Sequence, residues 1–302
     1  MSMSVSPQID TVTRASVGKR EDAMAEPVSG AHSATATSGR GQFGGAMWQD
    51  FSESLKRWRV AAWLGWKDAV LPFRRTYFGP LWLVIQTTVW LVMIAVLLGP
   101  SLGQGRENYI AYVAGGMIIF QFFTGLLVDG AASFTRDAGL IQNIPNPMTL
   151  YLLRVLFKSL FLFLAQVPVL IGAYVFTGIG IEWQALWAVP GLLLSTWVIL
   201  GTSLALASIT PRLRDIPFAL NAAMRVLFFA TPIFWLMDGR GLRTLAANYN
   251  PFAHLLNVVR EPLLGHPVPV HSVYVCLACG AISWVIGIIL FSQARPHIAS
   301  QL

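Results

Sequence analysis

The sequence predicts an all-α polytopic membrane protein, and three observations lead to this fold class. Hydrophobic residues make up 55% of the 302-residue chain and charged residues only 12%, whereas about a quarter of an ordinary soluble domain is charged. The mean hydropathy is +0.60. Several apolar runs reach about 20 residues, the length that crosses a bilayer as a helix. Together these features exclude an ordinary soluble globular enzyme.

Residues 1–45 differ in composition from the apolar runs that follow them. They are rich in Ser, Gly, Ala and Thr, they carry charges, and they show no apolar period. They also lack the apolar core that a signal peptide needs. We therefore predict a disordered cytoplasmic tail over residues 1–45.

Residues 46–78 are predicted to form an amphipathic interfacial segment. Apolar residues recur at spacings of four, three, four and four, which places one set on a single helical face: Phe51, Leu55, Trp58, Ala62 and Trp66. Lys and Arg avoid that face. This pattern is typical of a helix that lies in the cytoplasmic interface of a membrane. Packing against a partner protein is a compatible alternative.

The transmembrane domain is predicted over residues 79–295, followed by a short cytoplasmic tail over 296–302. Its six spans run at about 80–98, 109–128, 155–176, 183–209, 217–237 and 273–291. An even number of spans puts both termini on one side. Ten of the 21 Lys and Arg residues precede residue 76, so the positive-inside rule places both termini in the cytoplasm. The basic flank is thus interpreted as a topology signal rather than a nucleic-acid site.

The cytoplasmic connection after span two is expected to contain a short helix, Gly130–Gln142, which carries Arg136 and Asp137. Pro145 and Pro147 follow it. Proline ends a helix because its nitrogen lacks a hydrogen and its ring crowds the preceding turn.

Three basic residues lie within or beside the predicted spans. Arg154 and Lys158 are one turn apart at the start of span three, and we expect them to snorkel toward lipid headgroups. Arg225 lies about eight residues, or roughly 12 Å, into span five. Because a charge at that depth is costly in lipid, Arg225 is expected to face a water-filled path, a partner subunit or a headgroup. Snorkelling to the cytoplasmic surface is the alternative.

The last external loop contains an apolar stretch, Phe252–Leu264, which is too short to cross about 30 Å of hydrocarbon as a helix. We predict that it is re-entrant or interfacial, with a seventh span as the alternative. It carries Arg260 and Glu261, and charges at membrane depth need a partner or water.

The sequence lacks the motifs of the common catalytic and metal sites. It has neither a P-loop nor an H-E-x-x-H pair, so no phosphate cradle or zinc site is predicted. Cys276 and Cys279 have no second ligand pair, and we interpret them as small packing groups. Ser203 follows a Gly-Thr pair, but no histidine lies within a predicted span to activate it. We predict no catalytic residue and no metal ligand.

Several landmarks occur in a recognisable order along the chain. They are Arg74–Trp82 before span one, Gly139–Pro145 after span two, Arg214–Pro217 before span five, Thr231–Trp235 at its end, and Tyr249–Pro251 with Val259–Gly265 in the last external loop. Over about residues 50–295 the chain resembles the ABC-2 type permease family, in the branch that exports O-antigen, capsular polysaccharide, teichoic acid and related polymers. One departure is Gln86-Thr87-Thr88, where many members carry a proline.

The resemblance implies a transporter subunit rather than an enzyme. Such permeases form homodimers and pair with two copies of a separate P-loop ATPase, which would explain the missing P-loop. ATP and Mg²⁺ would then bind the ATPase, and this chain would bind no cofactor. Its other partners would be membrane lipids and a lipid-linked glycan, with no nucleic acid.

The resemblance also assigns three groups of residues. The lipid headgroup would arrive near Arg74, Arg75, Tyr77 and Trp82. Contact with the ATPase would involve Trp58, Arg136, Asp137 and Asn143. The channel or its external mouth would include Arg225, Phe234, Trp235, Tyr249, Asn250, Arg260 and Glu261.

These expectations describe a multi-pass subunit of the bacterial inner membrane that moves an undecaprenyl-diphosphate-linked polysaccharide outward through a homodimeric channel. One alternative is an ABC-2 exporter of a drug or another lipid. A different class, a membrane-embedded glycosyl- or acyltransferase, would need convergent Asp, Glu or His side chains at membrane depth. The predicted spans contain none of these three residue types.

Overall fold

The computed structural model describes residues 43–102, 108–143, 146–180, 182–236 and 241–301, and within these ranges it contains helices and turns but no β-strand. The fold class is therefore all-α, as predicted. Most of the predicted tail, residues 1–42, lies outside the described residues. Residues 43–45 belong to the first helix instead of to a tail.

The described ranges contain twelve α-helices. In chain order they are α1 (Phe43–Lys56), α2 (Trp58–Val70), α3 (Leu81–Leu102), α4 (Tyr109–Ala131), α5 (Ser133–Arg136), α6 (Ala138–Asn143), α7 (Thr149–Thr177), α8 (Ala188–Ile209), α9 (Ile216–Ala230), α10 (Gly241–Tyr249), α11 (Pro251–Leu263) and α12 (Val270–Gln301). One short 3₁₀ turn, Leu71–Phe73, precedes α3, and another, Trp183–Trp187, precedes α8.

Five helical segments of the described ranges are long and apolar enough to cross a membrane. They are Leu81–Pro100, Tyr109–Ala131, Thr149–Thr177, Trp183–Ile209 and Val270–Arg295. They coincide with predicted spans one, two, three, four and six, so the chain is a multi-pass membrane protein.

The predicted fifth span is wrong at its outer end. The sequence analysis placed it at 217–237, but α9 stops at Ala230 and is about 22 Å long at 1.5 Å per residue. The break follows from Pro232, which disfavours helical backbone at the residue before it. Thr231 is accordingly extended, with φ −90° and ψ 139°. Within the described ranges, five helices reach full span length, and α9 is a shorter apolar helix.

Helix α4 lies at the centre of the bundle. In its most apolar window 78% of the residues are buried, against 17% for α3 and α12. It packs against α7, α8, α9 and α11. Gly116 allows the segment after α9 to approach α4 closely, since a Cβ at Gly116 would lie 3.1 Å from a side-chain carbon of Ile233. The outward-facing spans are apolar on their exposed sides, as lipid contact requires.

The most extensive helix pair is α8 with α12. The ring of Trp197 lies directly over Gly280, where a Cβ would overlap it. Trp284 donates its indole N–H to the carbonyl of Trp197 at 2.9 Å. Gly201, Gly280 and Gly287 therefore bring the two spans close together. Small residues are a common means of close helix packing in membranes.

The interfacial segment is two helices rather than one. α1 and α2 meet at Arg57, which interrupts the predicted continuous face. On α2, Ala61, Gly65 and Ala69 are buried against α7. The tryptophans point outward, and Trp58 is 48% exposed. The aromatic side chains are thus exposed while small residues form the packing face, and contact of the aromatic face with lipid stays a prediction.

The predicted cytoplasmic helix Gly130–Gln142 is also divided. α4 continues through Ala131, and two short helices, α5 and α6, follow with a break at Asp137. We call the segment Ser133–Asn143 the elbow. Gly130 belongs to α4, and its missing side chain lets Ser203 of α8 approach, since a Cβ there would lie 2.7 Å from the Ser203 hydroxyl oxygen.

The last external loop contains two short helices, α10 and α11. Asn250 caps α11 by accepting a hydrogen bond from the backbone N–H of Phe252 at 2.9 Å, and Pro251 fits the first helical position. The helix ends before Gly265, whose φ of +78° suits glycine. The predicted re-entrant placement of this stretch stays a prediction.

Candidate substrate path and coupling region

Arg74 and Arg75 border an open hollow just before the N-terminus of α3. We call the end of the helix bundle that contains this hollow the inner end, and the opposite end the outer end, after the predicted topology. The hollow has a volume of about 730 Å³ and is lined by these two arginines with Leu71 and Pro72. The 3₁₀ turn Leu71–Phe73 places both cations there. Two exposed guanidinium groups on one hollow suit an anionic group such as a phosphate.

The other two residues predicted for the headgroup lie beside this hollow in sequence but do not line it. The side chain of Tyr77 is fully exposed. Trp82 is half-exposed and packs edge-to-face on Phe78, with ring centroids 5.4 Å apart. The structure therefore places the two arginines on one hollow, whereas the side chains of Tyr77 and Trp82 are exposed outside it.

A cluster of charges centred on Arg154 connects three parts of the inner end. Arg154 Nε and Nη2 donate to Asp68 Oδ2 and Oδ1 at 2.7 and 2.8 Å. Its Nη1 donates to Asp137 Oδ1 at 3.0 Å. We call Asp68, Asp137 and Arg154 the Arg154 cluster. It joins α2, the elbow and α7 through one largely buried guanidinium group, which is 12% exposed.

The expectation that Arg154 and Lys158 snorkel to lipid headgroups is wrong. Both cations have carboxylate partners, and Lys158 Nζ donates to Asp129 Oδ2 at 2.7 Å. The reason is that Asp68 and Asp129 lie 86 and 29 residues away in the chain, where helical spacing gives no information. The carboxylates supply the charge compensation that lipid would otherwise provide.

Asp137 is turned into the protein. It is 6% exposed, and its Oδ2 is buried with Arg136 Nη2 at 3.7 Å, beyond hydrogen-bond distance. Burial raises the pKa of the Asp137 carboxyl, although Arg136 and Arg154 act in the opposite direction. Asp137 therefore serves the Arg154 cluster, while the more exposed Arg136 faces outward.

The remaining residues predicted for coupling are exposed at the inner surface. Trp58 starts α2, and its ring lies 6.4 Å from that of Phe157 on α7. Asn143 ends α6 and donates to the Gly139 carbonyl at 2.7 Å. With Arg136, they are exposed polar and aromatic groups on the surface of the elbow and of α2.

Asp50 is a structural residue that the sequence analysis missed. Its carboxylate accepts from the backbone N–H groups of Met148 and Thr149 at 3.3 and 3.0 Å, at the start of α7. Arg295 Nη2 on α12 donates to the same carboxylate at 3.1 Å. A carboxylate is favourable at a helix N-terminus. Asp50 thus fixes α1 to the inner ends of two spans, and a partner 245 residues away leaves no local signal.

At the outer end, the segment after α9 is held by side chains from α4, α11 and the residue before α11. We call Thr231–Trp235 the bend. The hydroxyl of Tyr112 donates to the Pro232 carbonyl at 2.9 Å, and the hydroxyl of Tyr109 donates to the Phe234 carbonyl at 2.6 Å. Asn250 donates to the Thr231 hydroxyl oxygen at 2.9 Å. These bonds replace the ones that an uninterrupted helix would supply.

Arg260 completes the hydrogen bonding of the bend. It is 1% exposed, its Nη1 donates to the Pro232 carbonyl at 2.6 Å, and its Nη2 donates to Asn257 Oδ1 at 2.8 Å. Its guanidinium carbon lies 3.8 Å from the centroid of the Tyr112 ring. A Cβ at Gly115 would lie 3.5 Å from Arg260 Cγ. The side chain is therefore directed into the protein.

The seven residues predicted for the channel or external mouth differ in their exposure. Trp235 and Asn250, like Arg260, are buried. Tyr249 and Arg225 are exposed, on α10 and α9 respectively. Of the two others, Phe234 is partly buried, and Glu261 Oε2 lies 2.7 Å from the ring Nδ1 of His266.

No group of three or more His, Cys, Asp or Glu side chains within the described ranges is arranged to hold a metal ion. Cys276 is buried and Cys279 is partly buried, and both are free thiols. The buried polar contacts described above are ion pairs at one end of the bundle and hydrogen bonds to backbone carbonyls at the other.

Residues 60–264 match the sequence profile of the ABC-2 type transporter family. Two relatives from Klebsiella pneumoniae, both called O-antigen export system permease protein RfbA, are 20% and 19% identical to this chain over 238 residues. In each case the alignment covers 78% of this chain and 92% of the relative. The family match extends from α2 to the end of α11 and thus includes the arginine hollow, the Arg154 cluster and the bend. This chain belongs to the ABC-2 type transporter family.

Proposed function

We propose that this chain is the permease subunit of an ATP-driven exporter that moves an undecaprenyl-diphosphate-linked polysaccharide, of the O-antigen or capsular type, across the bacterial inner membrane. The observation that carries the proposal is the family match together with two O-antigen export permeases that align over most of both chains. In this proposal both termini are cytoplasmic.

The arginine hollow supports a diphosphate-bearing substrate. Arg74 and Arg75 lie just before the first span, and each can donate two parallel hydrogen bonds to phosphate oxygens. On the predicted topology, the hollow is at the cytoplasmic membrane surface, where the substrate arrives.

The elbow and the start of α2 support contact with a separate ATPase. Arg136, Asn143 and Trp58 are accessible there, and Asp137 holds the elbow to Arg154. ATP and Mg²⁺ bind to that partner in this proposal, and the permease binds no cofactor of its own.

A second copy of the chain would cover the exposed spans. Only 17% of the most apolar window of α3 is buried, and of the residues of α9, all of them described, Met224 alone is buried. Arg225 lies on the exposed surface of α9, at a depth where a cation favours a polar path or a partner over lipid. A homodimer with α3 and α9 at its interface satisfies both conditions.

The first test is purification of the tagged protein from its native membrane in mild detergent, with mass spectrometry of the co-purifying proteins. A P-loop ATPase in equimolar amount, in a particle that contains two copies of each chain, is expected. A particle without an ATPase would contradict the proposal, provided that known ABC complexes survive the same detergent.

The cargo is tested in a deletion strain. Lipid-linked glycan should accumulate inside the cell, and surface polysaccharide should fall. Unchanged surface polysaccharide with altered drug tolerance would instead favour export of a small hydrophobic compound.

A further inference from the structure

Helix α3 is joined to α7 by a buried polar contact. Thr87 Oγ1 donates to Gln166 Oε1 at 2.9 Å, and Gln166 Nε2 donates to the Leu162 carbonyl at 3.2 Å. Thr87 and Gln166 are 3% and 4% exposed. Polar bonds of this kind fix the relative position of two helices within a membrane. The contact therefore sets the position of α3 relative to α7 at this level.

An open groove of about 450 Å³ lies between α3 and α7 alongside this contact. Its walls include Val84, Leu91 and Val96 on α3, and Val169 and Phe176 on α7. Val84 and Val96 are separated by twelve residues, so the groove follows α3 for roughly 18 Å. Its volume lies within the range of small-molecule sites.

The groove is suited to a hydrocarbon chain. Its lining is almost entirely aliphatic and aromatic, and both α3 and α7 are candidate spans. Water in such a place would lose hydrogen bonds without replacement, whereas a hydrocarbon chain loses none. Gly172 forms part of the lining, and no atom lies within 4 Å of the position that its Cβ would occupy. This part of the groove is thus bare of side chains.

The arginine hollow lies at the inner end of the same helix. Arg75 precedes Val84 by nine residues, and the hollow is lined by the residues that lead into α3. A ligand that has a diphosphate head and a long apolar chain matches both features, because the cations suit the head and the groove suits the chain. An ordinary membrane lipid matches the groove, but its single phosphate makes less use of two arginines.

We infer that the groove between α3 and α7 binds the isoprenoid chain of the lipid-linked substrate while Arg74 and Arg75 hold its diphosphate. This inference rests on the proposed function and adds a binding site for the lipid part of the cargo. In this arrangement the isoprenoid chain of the substrate lies against α3 on the side that faces α7, separate from the exposed α9 surface.

The site can be tested in the purified complex in nanodiscs with a polyprenyl diphosphate that carries a photoreactive group on its isoprenoid chain. Peptide mapping after irradiation should locate the label within residues 84–96 and 168–176. An excess of unlabelled polyprenyl diphosphate should compete, and an equal excess of phosphatidylglycerol should not. Label on α9 instead of α3 and α7, or equal competition by phosphatidylglycerol, would overturn the inference.

Gly172→Leu is the matched variant, because it adds a side chain where the groove is bare. We expect labelling and export to fall at least fivefold, with normal amounts of assembled complex. Ile282→Phe is the control, since Ile282 is an exposed residue of α12 that does not line the groove, and it should label like wild type. Equal labelling of the Gly172→Leu and wild-type proteins would overturn the inference.

Two further measurements keep the outcomes separate. If Gly172→Leu fails to assemble, the competition experiment on the wild-type complex still decides the inference. If the deletion strain accumulates no lipid-linked glycan, the proposed function fails regardless of the labelling. If glycan accumulates and the groove is not labelled, the inference alone fails.

Discussion

The inner and outer ends of the helix bundle each contain a largely buried arginine, but the two arginines have different kinds of partner. At the inner end, Arg154 binds two carboxylates, Asp68 and Asp137. At the outer end, Arg260 donates to the backbone carbonyl of Pro232 and lies on the ring of Tyr112, while its one carboxylate neighbour, Glu261, lies 3.6 Å away, beyond hydrogen-bond distance. The first contact joins separate chain segments through opposite charges, whereas the second completes the hydrogen bonding of one backbone bend.

This difference indicates different roles for the two ends. Ion pairs between α2, the elbow and α7 depend on how those segments are placed, so displacement of one segment is felt by the others. The bend depends mainly on hydrogen bonds from Tyr109, Tyr112 and Arg260 to backbone carbonyls, which favours a single shape. We therefore expect charge changes at the inner end to affect coupling as well as stability, and those at the outer end to affect mainly stability.

The largest expected effect is that of Arg154→Met. The substitution leaves Asp137 and Asp68 without their shared cation, and an uncompensated buried charge costs about 3 kcal/mol or more. The thermal unfolding temperature of the purified protein should fall markedly, and export should be lost.

Arg154→Lys is the control for that variant. It keeps the charge but cannot form the two parallel bonds to Asp68, so its unfolding temperature should lie between those of Arg154→Met and wild type. A normal unfolding temperature for Arg154→Met would show that the cluster contributes little to the fold.

Arg260→Gln is expected to have the next largest effect. The shorter amide cannot reach both the Pro232 carbonyl and Asn257, and an unsatisfied buried acceptor costs about 1–3 kcal/mol. Stability should fall by about 2 kcal/mol. Since the loss is mainly one of hydrogen bonds, and Glu261 has a closer partner in His266 than in Arg260, it should depend little on salt concentration.

Salt titration of thermal unfolding compares the two ends directly. The unfolding temperature of Arg260→Gln should run parallel to that of wild type between low and high ionic strength. A strong salt dependence of the difference between the two proteins would contradict a role based on carbonyl contacts.

The sequence predicted those parts of the fold that local pattern determines. Spans α3, α4, α7, α8 and α12 were predicted because length and hydropathy are properties of each segment alone. The early end of α9 was also encoded locally, in Thr231-Pro232, because proline disfavours helical backbone at the residue before it. The predicted span nevertheless ran past this proline. The partners of Arg154 and Asp50 were not predictable, because the contacts join residues 86 and 245 positions apart.

The candidate site shows the same division. The arginine pair was predicted and lies on a shared hollow. Arg260 was predicted to need a partner, and the structure supplies one from the backbone, which no residue pattern indicates. The Thr87–Gln166 bond was not predictable, because the departure at Gln86-Thr87-Thr88 gives no indication of a partner 79 residues away.

A smaller and more specific effect is expected for Asp137→Asn. The substitution weakens the contact between Arg154 and the elbow but leaves the two bonds to Asp68 in place. An uncharged amide is tolerated there, since burial raises the pKa of the Asp137 carboxyl. In the ATPase complex reconstituted in liposomes, ATP hydrolysis should persist while export per ATP falls roughly tenfold, which lies within the usual range of coupling free energies.

Asp137→Glu should restore much of the coupling, because the carboxylate can again approach Arg154. If the Asp137→Asn complex exports as much per ATP as wild type, the elbow does not act through the Arg154 cluster. If it fails to bind the ATPase, the surface contact lies closer to Asp137 than its burial indicates.

The smallest effect is expected for Asp129→Asn, which serves as the matched control for Asp137→Asn. Asp129 is a carboxylate at the same end of the bundle, and its partner Lys158 lies on α7, one turn from Arg154. The pair is 32% and 19% exposed, and its side-chain contact joins α4 to α7. Ion pairs near the surface contribute about 0–1 kcal/mol and weaken as salt is added. The unfolding temperature should therefore fall slightly at low salt and match wild type at high salt, while export per ATP stays unchanged.

A loss of coupling in Asp129→Asn as large as that of Asp137→Asn would mean that the loss of any inner-end carboxylate impairs coupling. The distinction between the Arg154 cluster and its neighbours would then not hold.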